Sequence, residues 1–149
     1  MHEYMQNRLF NPIGFAQASW DVIGGTGSIG PHTSAHVGMH ISARELARIG
    51  YLAIRQGCWD SKLLIPRAWL KLATQSSQEL NPNYGYAFWV NSQGTRWPGL
   101  PNDMFAMEGY NSNRCYIISS LDLVVARVGS GPRTRNETDF ITQVVEAIN

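Results

Sequence analysis

Three histidines, His32, His36 and His40, recur every four residues, a spacing that would align three imidazoles for a metal ion on a helix. Gly38 and the Pro31-His32-Thr33 start argue against a stable helix, and no carboxylate is interleaved. Loop histidines with local hydrogen bonds are therefore the favoured interpretation, and a metal site is the minor alternative.

Gly25, Gly27 and Gly30 match the spacing of a dinucleotide-binding fingerprint. Pro31 follows directly, so no helix offers its amino end to a pyrophosphate, and no parallel βαβ unit surrounds the glycines. The sequence indicates a flexible turn here rather than a nucleotide site.

The composition, 149 residues with 44% hydrophobic and 15% charged side chains, predicts one globular domain with a core. Twelve basic residues balance eleven acidic ones, and only Arg133 and Arg135 cluster, which excludes an electrostatic footprint for nucleic acid or anionic membrane. Cys58 and Cys115 are too few for a disulfide framework or a Cys-rich zinc site. No apolar run approaches membrane-spanning length and no signal peptide is evident, so the compartment stays open.

The first part of the chain predicts one helix, a long loop and a second helix. Residues 3–10 read as final helical turns that end at Asn11-Pro12, and residues 13–40 as a loop with one short strand near 20–23. Ser42 and Glu45 form a capping box that starts a helix with a stop at Gly57. Its apolar face comprises Leu46, Ile49, Ala53 and Ile54.

The second part predicts an antiparallel meander between two helices. After a turn at residues 59–62, Pro66 opens a short helix through Ala68, Trp69, Leu70 and Leu72, and Asn81-Pro82-Asn83 breaks it. Strands are expected at 84–90, at 104–118 with an interruption at 109–113, and at 121–128. Asn136 or Thr138 caps a last helix whose apolar stripe is Phe140, Val144, Val145 and Ile148. The predicted fold class is α+β, an antiparallel sheet with flanking helices.

Read in order, blocks from Leu9 to Val128 resemble the second half of the serine hydrolases that include class C β-lactamases, D-alanyl-D-alanine peptidases (penicillin-binding proteins) and β-lactamase-fold esterases. Residues 8–15 resemble the family segment "lf-PLGM", 40–50 the "SArDLArfg" helix, and 57–69 the block "G-x-w-n-G-k-q-l-l-P-e-a-W". Residues 84–90 resemble the "YGygwwv" strand, and 109–128 the hairpin "G-x-G-G-q-x-i-x-v-x-P-x-x-d-l-V-v-v". The resemblance implies an incomplete β-lactamase/transpeptidase-like fold, with residues 1–149 as one C-terminal portion of a domain.

The family's chemistry requires S-x-x-K, in which a lysine helps to deprotonate the attacking serine. No serine of this chain is followed three residues later by lysine, and Tyr-x-Asn, the second motif, is also missing. In the family both motifs lie upstream of the "PLGM" block, so the N-terminal part with the nucleophile is expected to be missing. These hydrolases need no metal or other cofactor.

The family's third motif, Lys or His, then Thr or Ser, then Gly, holds the substrate carboxylate and the oxyanion. Counting back from the hairpin places it near Met104-Phe105-Ala106, where those polar side chains are absent, so only the backbone amide near Met107 carries over. The oxyanion or substrate-binding candidates are Met107, Glu108, Gly109 and Tyr110. Trp89 is a further candidate for pocket lining, although a core aromatic is the commoner case.

Two departures from the family pattern affect this hairpin: Asn111-Ser112 replaces a Gly-Gly pair, and Ser119 replaces a proline. Asp122 is read as a turn residue, and Glu137 and Asp139 as helix-start carboxylates that complement the helix dipole.

The resemblance implies a fragment or truncated homologue of a serine hydrolase that acts on a small-molecule or peptide-like acyl substrate, inactive by itself. The alternative is a non-catalytic binding module that uses the remnant sheet and an aromatic surface, with association through an exposed sheet edge.

Overall fold

The computed structural model describes residues 2–24, 32–34, 36–129 and 136–148, and all statements on structure concern those residues. The helices are α1 (His2–Met5), continued by a π-helical turn (Gln6–Phe10), α2 (Ala43–Ile54), α3 (Arg67–Ala73) and α4 (Glu137–Glu146). Short strands are β1 (Ser19–Trp20), β2 (Val22–Ile23), β3 (His32–Thr33), β4 (Met39–His40), β5 (Cys58–Trp59) and β6 (Lys62–Leu63). The main sheet comprises β7 (Trp89–Val90), β8 (Met104–Gly109), β9 (Asn113–Ile118) and β10 (Leu123–Arg127).

The main sheet is antiparallel throughout, in the order β10-β9-β8-β7. The predicted meander of the last three strands is confirmed, since β8 pairs with β9 along its whole length and β10 pairs with residues 114–118 of β9. Together with the helices on both of its faces, this sheet confirms the α+β class. Within the described residues, no helix combines the length and the apolar character needed to cross a membrane.

Alternation along β8 and β9 divides the core between the two faces of the sheet. On the α4 face, the buried cluster is Trp97, Leu100, Met104, Ala106, Tyr116, Ile118, Ile141 and Val145. On the α2 face, the buried residues are Val90, Phe105, Cys115 and Ile117, against which Leu46, Ala53 and Ile54 pack. The sheet is therefore a central layer that both helices cover.

The capping box at the start of α2 is confirmed. The Ser42 hydroxyl accepts from the Glu45 N–H at 3.2 Å, and the Glu45 carboxylate accepts from the Ser42 N–H at 2.8 Å. The predicted stop is also found, because Gly57 has a φ of +83° beyond the helix end. Midway along α2, Gly50 lets the helix approach the sheet: a Cβ there would lie 2.6 Å from Val124 Cγ1.

The first helical segment ends before Pro12, as the sequence predicts. Phe10, Ile13, Phe15 and Leu52 form a third buried cluster that ties it to α2. The prediction of a loop with one short strand over residues 13–40 missed two strands. Besides strands at 19–23, the chain forms β3 and β4, which pair with β2 and β1.

Two element predictions were wrong in part. The strand at 84–90 reduces to β7, because Ala87 adopts a φ of +63° and Gly85 donates to the Phe88 carbonyl at 2.8 Å, which folds the segment into a turn. The short helix that Pro66 opens is confirmed as α3, which ends at Ala73. In α4 the buried positions are Ile141 and Val145, whereas the predicted Phe140 and Ile148 are exposed.

Candidate functional site

The four candidate residues lie together at the last part of β8 and in the turn after it. Met107, Glu108 and Gly109 end β8, and Tyr110 begins the 3-10 turn Tyr110–Ser112. Tyr110 is 78% exposed, while Met107 packs against the α2-face cluster. The structure thus joins these residues through the backbone, and their side chains point to different surroundings.

The two backbone groups of Met104 establish which way the amides of β8 point. Its N–H donates to the Pro101 carbonyl at 3.1 Å, and its carbonyl accepts from the Asn91 N–H at 2.9 Å. Both partners lie on the side of β8 away from β9. Because backbone groups alternate along a strand, the same direction applies to every second residue.

The alternation turns the Met107 N–H toward β9, where Met107 pairs with Cys115. The Glu108 N–H points instead to the opposite edge. There β7 pairs only with Phe105 and Ala106, so no strand of the described chain covers the edge beside Glu108. The open amide of this segment is therefore that of Glu108.

The Glu108 side chain is held in an ion pair with Arg96. Both of its carboxylate oxygens accept from Arg96 Nη2 at 3.0 Å, and the side chain is only 10% exposed. The Arg96 guanidinium also stacks on Trp89, 4.3 Å from the ring centroid. Arg96 therefore already engages the Glu108 carboxylate, and Trp89 packs against the guanidinium of that arginine.

Arg114 connects the turn to the start of α4. Its Nη1 donates to the Gly109 carbonyl at 2.7 Å, and its Nε to the Glu137 carboxylate at 2.8 Å. Burial raises the pKa of the neighbouring Tyr116 hydroxyl to about 12, and the charge of Glu137 adds to the increase. Sequence reasoning assigned Glu137 only to the helix dipole and missed this network, because no local pattern links strands to a helix over twenty residues away.

The turn that replaces the family's Gly-Gly pair keeps a backbone typical of glycine. Asn111 and Ser112 have φ values of +55° and +60°. Asn tolerates this region better than most residues, and Ser adopts it at a cost. At the other end of β9, Ser119 begins a second 3-10 turn, which Asp122 ends with a φ of +48° and a 2.9 Å ion pair to Arg55. Asp122 is thus confirmed as a turn residue.

Glu45 joins the "PLGM"-like block to α2. Its Oε1 accepts from the Ala16 and Gln17 N–H groups, each at 2.9 Å, and its Oε2 from the Ser42 N–H and hydroxyl. Burial alone would raise its pKa, but these hydrogen bonds outweigh it and lower the pKa to about 2. The long-range half of this network has no signal in the sequence.

His36 and His40 contact separate partners, and only that of His36 is close by in the sequence. His36 Nδ1 lies 2.7 Å from the Ser34 hydroxyl, and His40 Nε2 lies 2.9 Å from Asp21. His32 lies in β3 opposite Ile23. Across the described ranges, no three His, Cys, Asp or Glu side chains gather as metal ligands would. The glycines at 25, 27 and 30, and Arg133 and Arg135, lie outside the described residues.

No protein-family model matches the chain. It is 32% identical over 98 residues to an uncharacterised protein of Alkalihalophilus pseudofirmus, in an alignment that covers 60% of this chain and 29% of that protein. Its structure is similar to that of a proposed 6-aminohexanoate-dimer hydrolase from Bacillus anthracis, with a TM-score of 0.67 and 17% identity over 97% of this chain.

The structural neighbour has a β-lactamase-like hydrolase fold, so the predicted fold is confirmed. The chain spans 36% of the length of that neighbour and 29% of the curated relative. The resemblance therefore extends over nearly all of this chain and about a third of a complete hydrolase chain.

Proposed function

We propose that this chain is a portion of a serine hydrolase that acts by acyl transfer on an ester, an amide or a β-lactam. In this role it contributes a wall of the substrate cleft and one oxyanion amide, and it is catalytically silent by itself. The observation that carries the proposal is the fold that nearly the whole chain shares with a part of a larger hydrolase.

Silence follows from the residues that acyl-serine chemistry needs. The 149 residues contain two lysines, Lys62 and Lys71, and the residues three positions before them are Trp59 and Ala68. Without an S-x-x-K pair, no serine here has the adjacent lysine that this chemistry uses to remove its proton.

The oxyanion amide that the geometry favours is the Glu108 N–H. It lies one residue after Met107, on the open edge of β8. The Arg96–Glu108 ion pair and the hydrogen bond from Arg114 to the Gly109 carbonyl hold the strand end and the following turn in place, and a fixed backbone donor is what oxyanion stabilisation requires. Gly109 and Tyr110 would then border the cleft.

A fluorophosphonate probe followed by mass spectrometry tests the proposed silence, together with assays on a nitrophenyl ester and a chromogenic cephalosporin. We expect no adduct on any serine and hydrolysis at the rate of buffer. Turnover that a serine-to-alanine variant of this chain abolishes would overturn the proposal. Reading the coding DNA before Met1 tests the other half: an in-frame S-x-x-K and Tyr-x-Asn are expected there, and a stop codon in their place contradicts it.

A binding module is the second candidate, and two surfaces favour it. Within the described chain, β10 pairs on one side only, so its outer edge can accept another strand. A second surface is aromatic: Trp69 stacks on Tyr86 at 5.6 Å, and Leu72 beside them is half exposed.

Light scattering distinguishes the two candidates. A monodisperse monomer that binds one defined partner supports the module, whereas self-association without a defined partner supports an uncovered hydrolase portion.

A further inference from the structure

A pocket of about 350 Å³ opens between the end of α2, the face of α3 and the start of β8. It shares no residue with the segment from Met107 to Tyr110, and it does not depend on the proposed hydrolase role. Its lining divides into an apolar part and a polar part. The apolar part comprises Ala53, Ile54, Ala68, Leu70 and Phe105, and the polar part Gln56, Arg67, Lys71, Thr74 and Ser119.

The floor of the pocket is apolar and fixed. Phe105 and Leu70 are each 7% exposed, and Phe105 belongs to the buried cluster on the α2 face of the sheet. A volume of this size falls at the lower end of the range for small-molecule sites, which combine apolar walls with a few polar groups. The floor can therefore cover a short aliphatic chain without rearranging the core.

The rim of the pocket carries positive charge on α3. Arg67 and Lys71 are one helical turn apart on α3, so they lie on the same face of that helix. Arg67 contacts the Cys58 sulfur at 3.6 Å, and the described residues give neither cation an ion pair. Both can therefore turn toward an anion in the pocket.

Two carboxylates near Ser119, those of Asp103 and Asp122, already have partners. Asp103 accepts hydrogen bonds from the N–H and hydroxyl of Ser120 at 2.6 and 3.0 Å, and Asp122 pairs with Arg55. They do not neutralise the rim. The pocket thus joins an apolar floor to two cations that no carboxylate of the described ranges pairs with.

We propose that this pocket binds a short aliphatic carboxylate, with the chain against Phe105 and Leu70 and the carboxylate between Arg67 and Lys71. An alcohol of the same length lacks the charge that the rim recognises, and an amine carries the wrong sign. A free phosphate lacks the chain that the floor recognises.

NMR titration of the ¹⁵N-labelled chain with hexanoate tests the proposal, with 1-hexanol, hexylamine and inorganic phosphate as comparison ligands. We expect hexanoate to shift the amides of Ala53, Ile54, Lys71 and Ser119. Hexanol should bind at least about threefold more weakly, since an exposed charge pair contributes up to about fivefold in affinity. Hexylamine and phosphate should leave these amides unshifted.

Charge-removing variants locate the site. Arg67→Gln and Lys71→Gln should each weaken hexanoate binding about threefold to fivefold, whereas Lys62→Gln on β6 should leave it unchanged. Both rim residues are exposed, so the variants should fold, and circular dichroism checks that they do. Equal affinity for hexanoate and hexanol, shifts confined to other residues, or full binding by the Arg67→Gln/Lys71→Gln double variant would each overturn the proposal.

Discussion

Replacement of Glu45 by Gln should lower the free energy of unfolding by about 3 kcal/mol at pH 7. Glu45 is 3% exposed and accepts four hydrogen bonds, two from the segment after the "PLGM"-like block and two from Ser42. The difference between its ordinary pKa of 4.5 and the folded value of about 2 corresponds to about 3 kcal/mol. A glutamine would also direct an NH₂ group at backbone donors, which leaves some of them unpaired.

The pH dependence of this contribution has a definite sign. The folded pKa lies below the unfolded one, so the carboxylate stabilises the fold fully above pH 4.5. The contribution is lost as the pH falls from about 4.5 to about 2, because protons then bind the unfolded chain more tightly than the folded one. Parent and Glu45→Gln should therefore converge in stability toward pH 2.

Urea unfolding followed by tryptophan fluorescence at pH 7, 4.5 and 3 measures the effect in both proteins. Glu79→Gln is the matched control, because Glu79 is exposed, and a surface change of this kind stays within about 0.5 kcal/mol. A Glu45→Gln variant as stable as the parent at pH 7 would refute the reasoning. So would a deficit of the same size at pH 7 and pH 3.

Three further predictions concern the backbone and the cysteines. Three residues have a φ near +60°: Ser61, Ala87 and Ser112. Replacing each by glycine should stabilise the chain by about 0.5–1 kcal/mol in urea unfolding, whereas Ala68→Gly in α3 should destabilise it. Gly50→Ala should lower the free energy of unfolding by about 1–3 kcal/mol in the same assay despite alanine's helix propensity, because its Cβ would lie 2.7 Å from the Cys115 sulfur. Unchanged stability would show that α2 can move away from the sheet. Burial raises the pKa of the Cys115 thiol to about 12. Iodoacetamide at pH 8 should therefore alkylate the half-buried Cys58 and leave Cys115 unmodified until urea unfolds the chain. Mass spectrometry of the peptides measures the labelling, and modification of Cys115 in the folded chain would be the contrary result.

Local patterns predicted the elements whose determinants lie close together in the sequence. Ser42 and Glu45 are three residues apart, and their capping box was predicted correctly because both partners belong to the same helical turn. The β8–β10 meander was equally clear, since short turns join strands with β-branched and apolar residues. The order of the family-like blocks then predicted the β-lactamase-like fold.

Tertiary contacts decided what the sequence could not predict. Residues 84–90 have the composition of a strand, but Ala87 adopts a left-handed conformation. An alanine in the sequence does not predict that conformation. In α4, Ile141 rather than Phe140 is buried, because Ile141 packs into the cluster on the sheet. At the candidate site, the sequence located the segment at the end of β8, while the open amide of Glu108 depends on where β7 stops pairing.

Treatment of the folded chain with a fluorophosphonate, followed by intact-mass measurement, tests the central claim most directly. An unmodified mass is expected, because no serine of this chain is followed three residues later by the lysine that acyl-serine chemistry uses. One stoichiometric adduct that disappears on unfolding and maps to a single serine would contradict it.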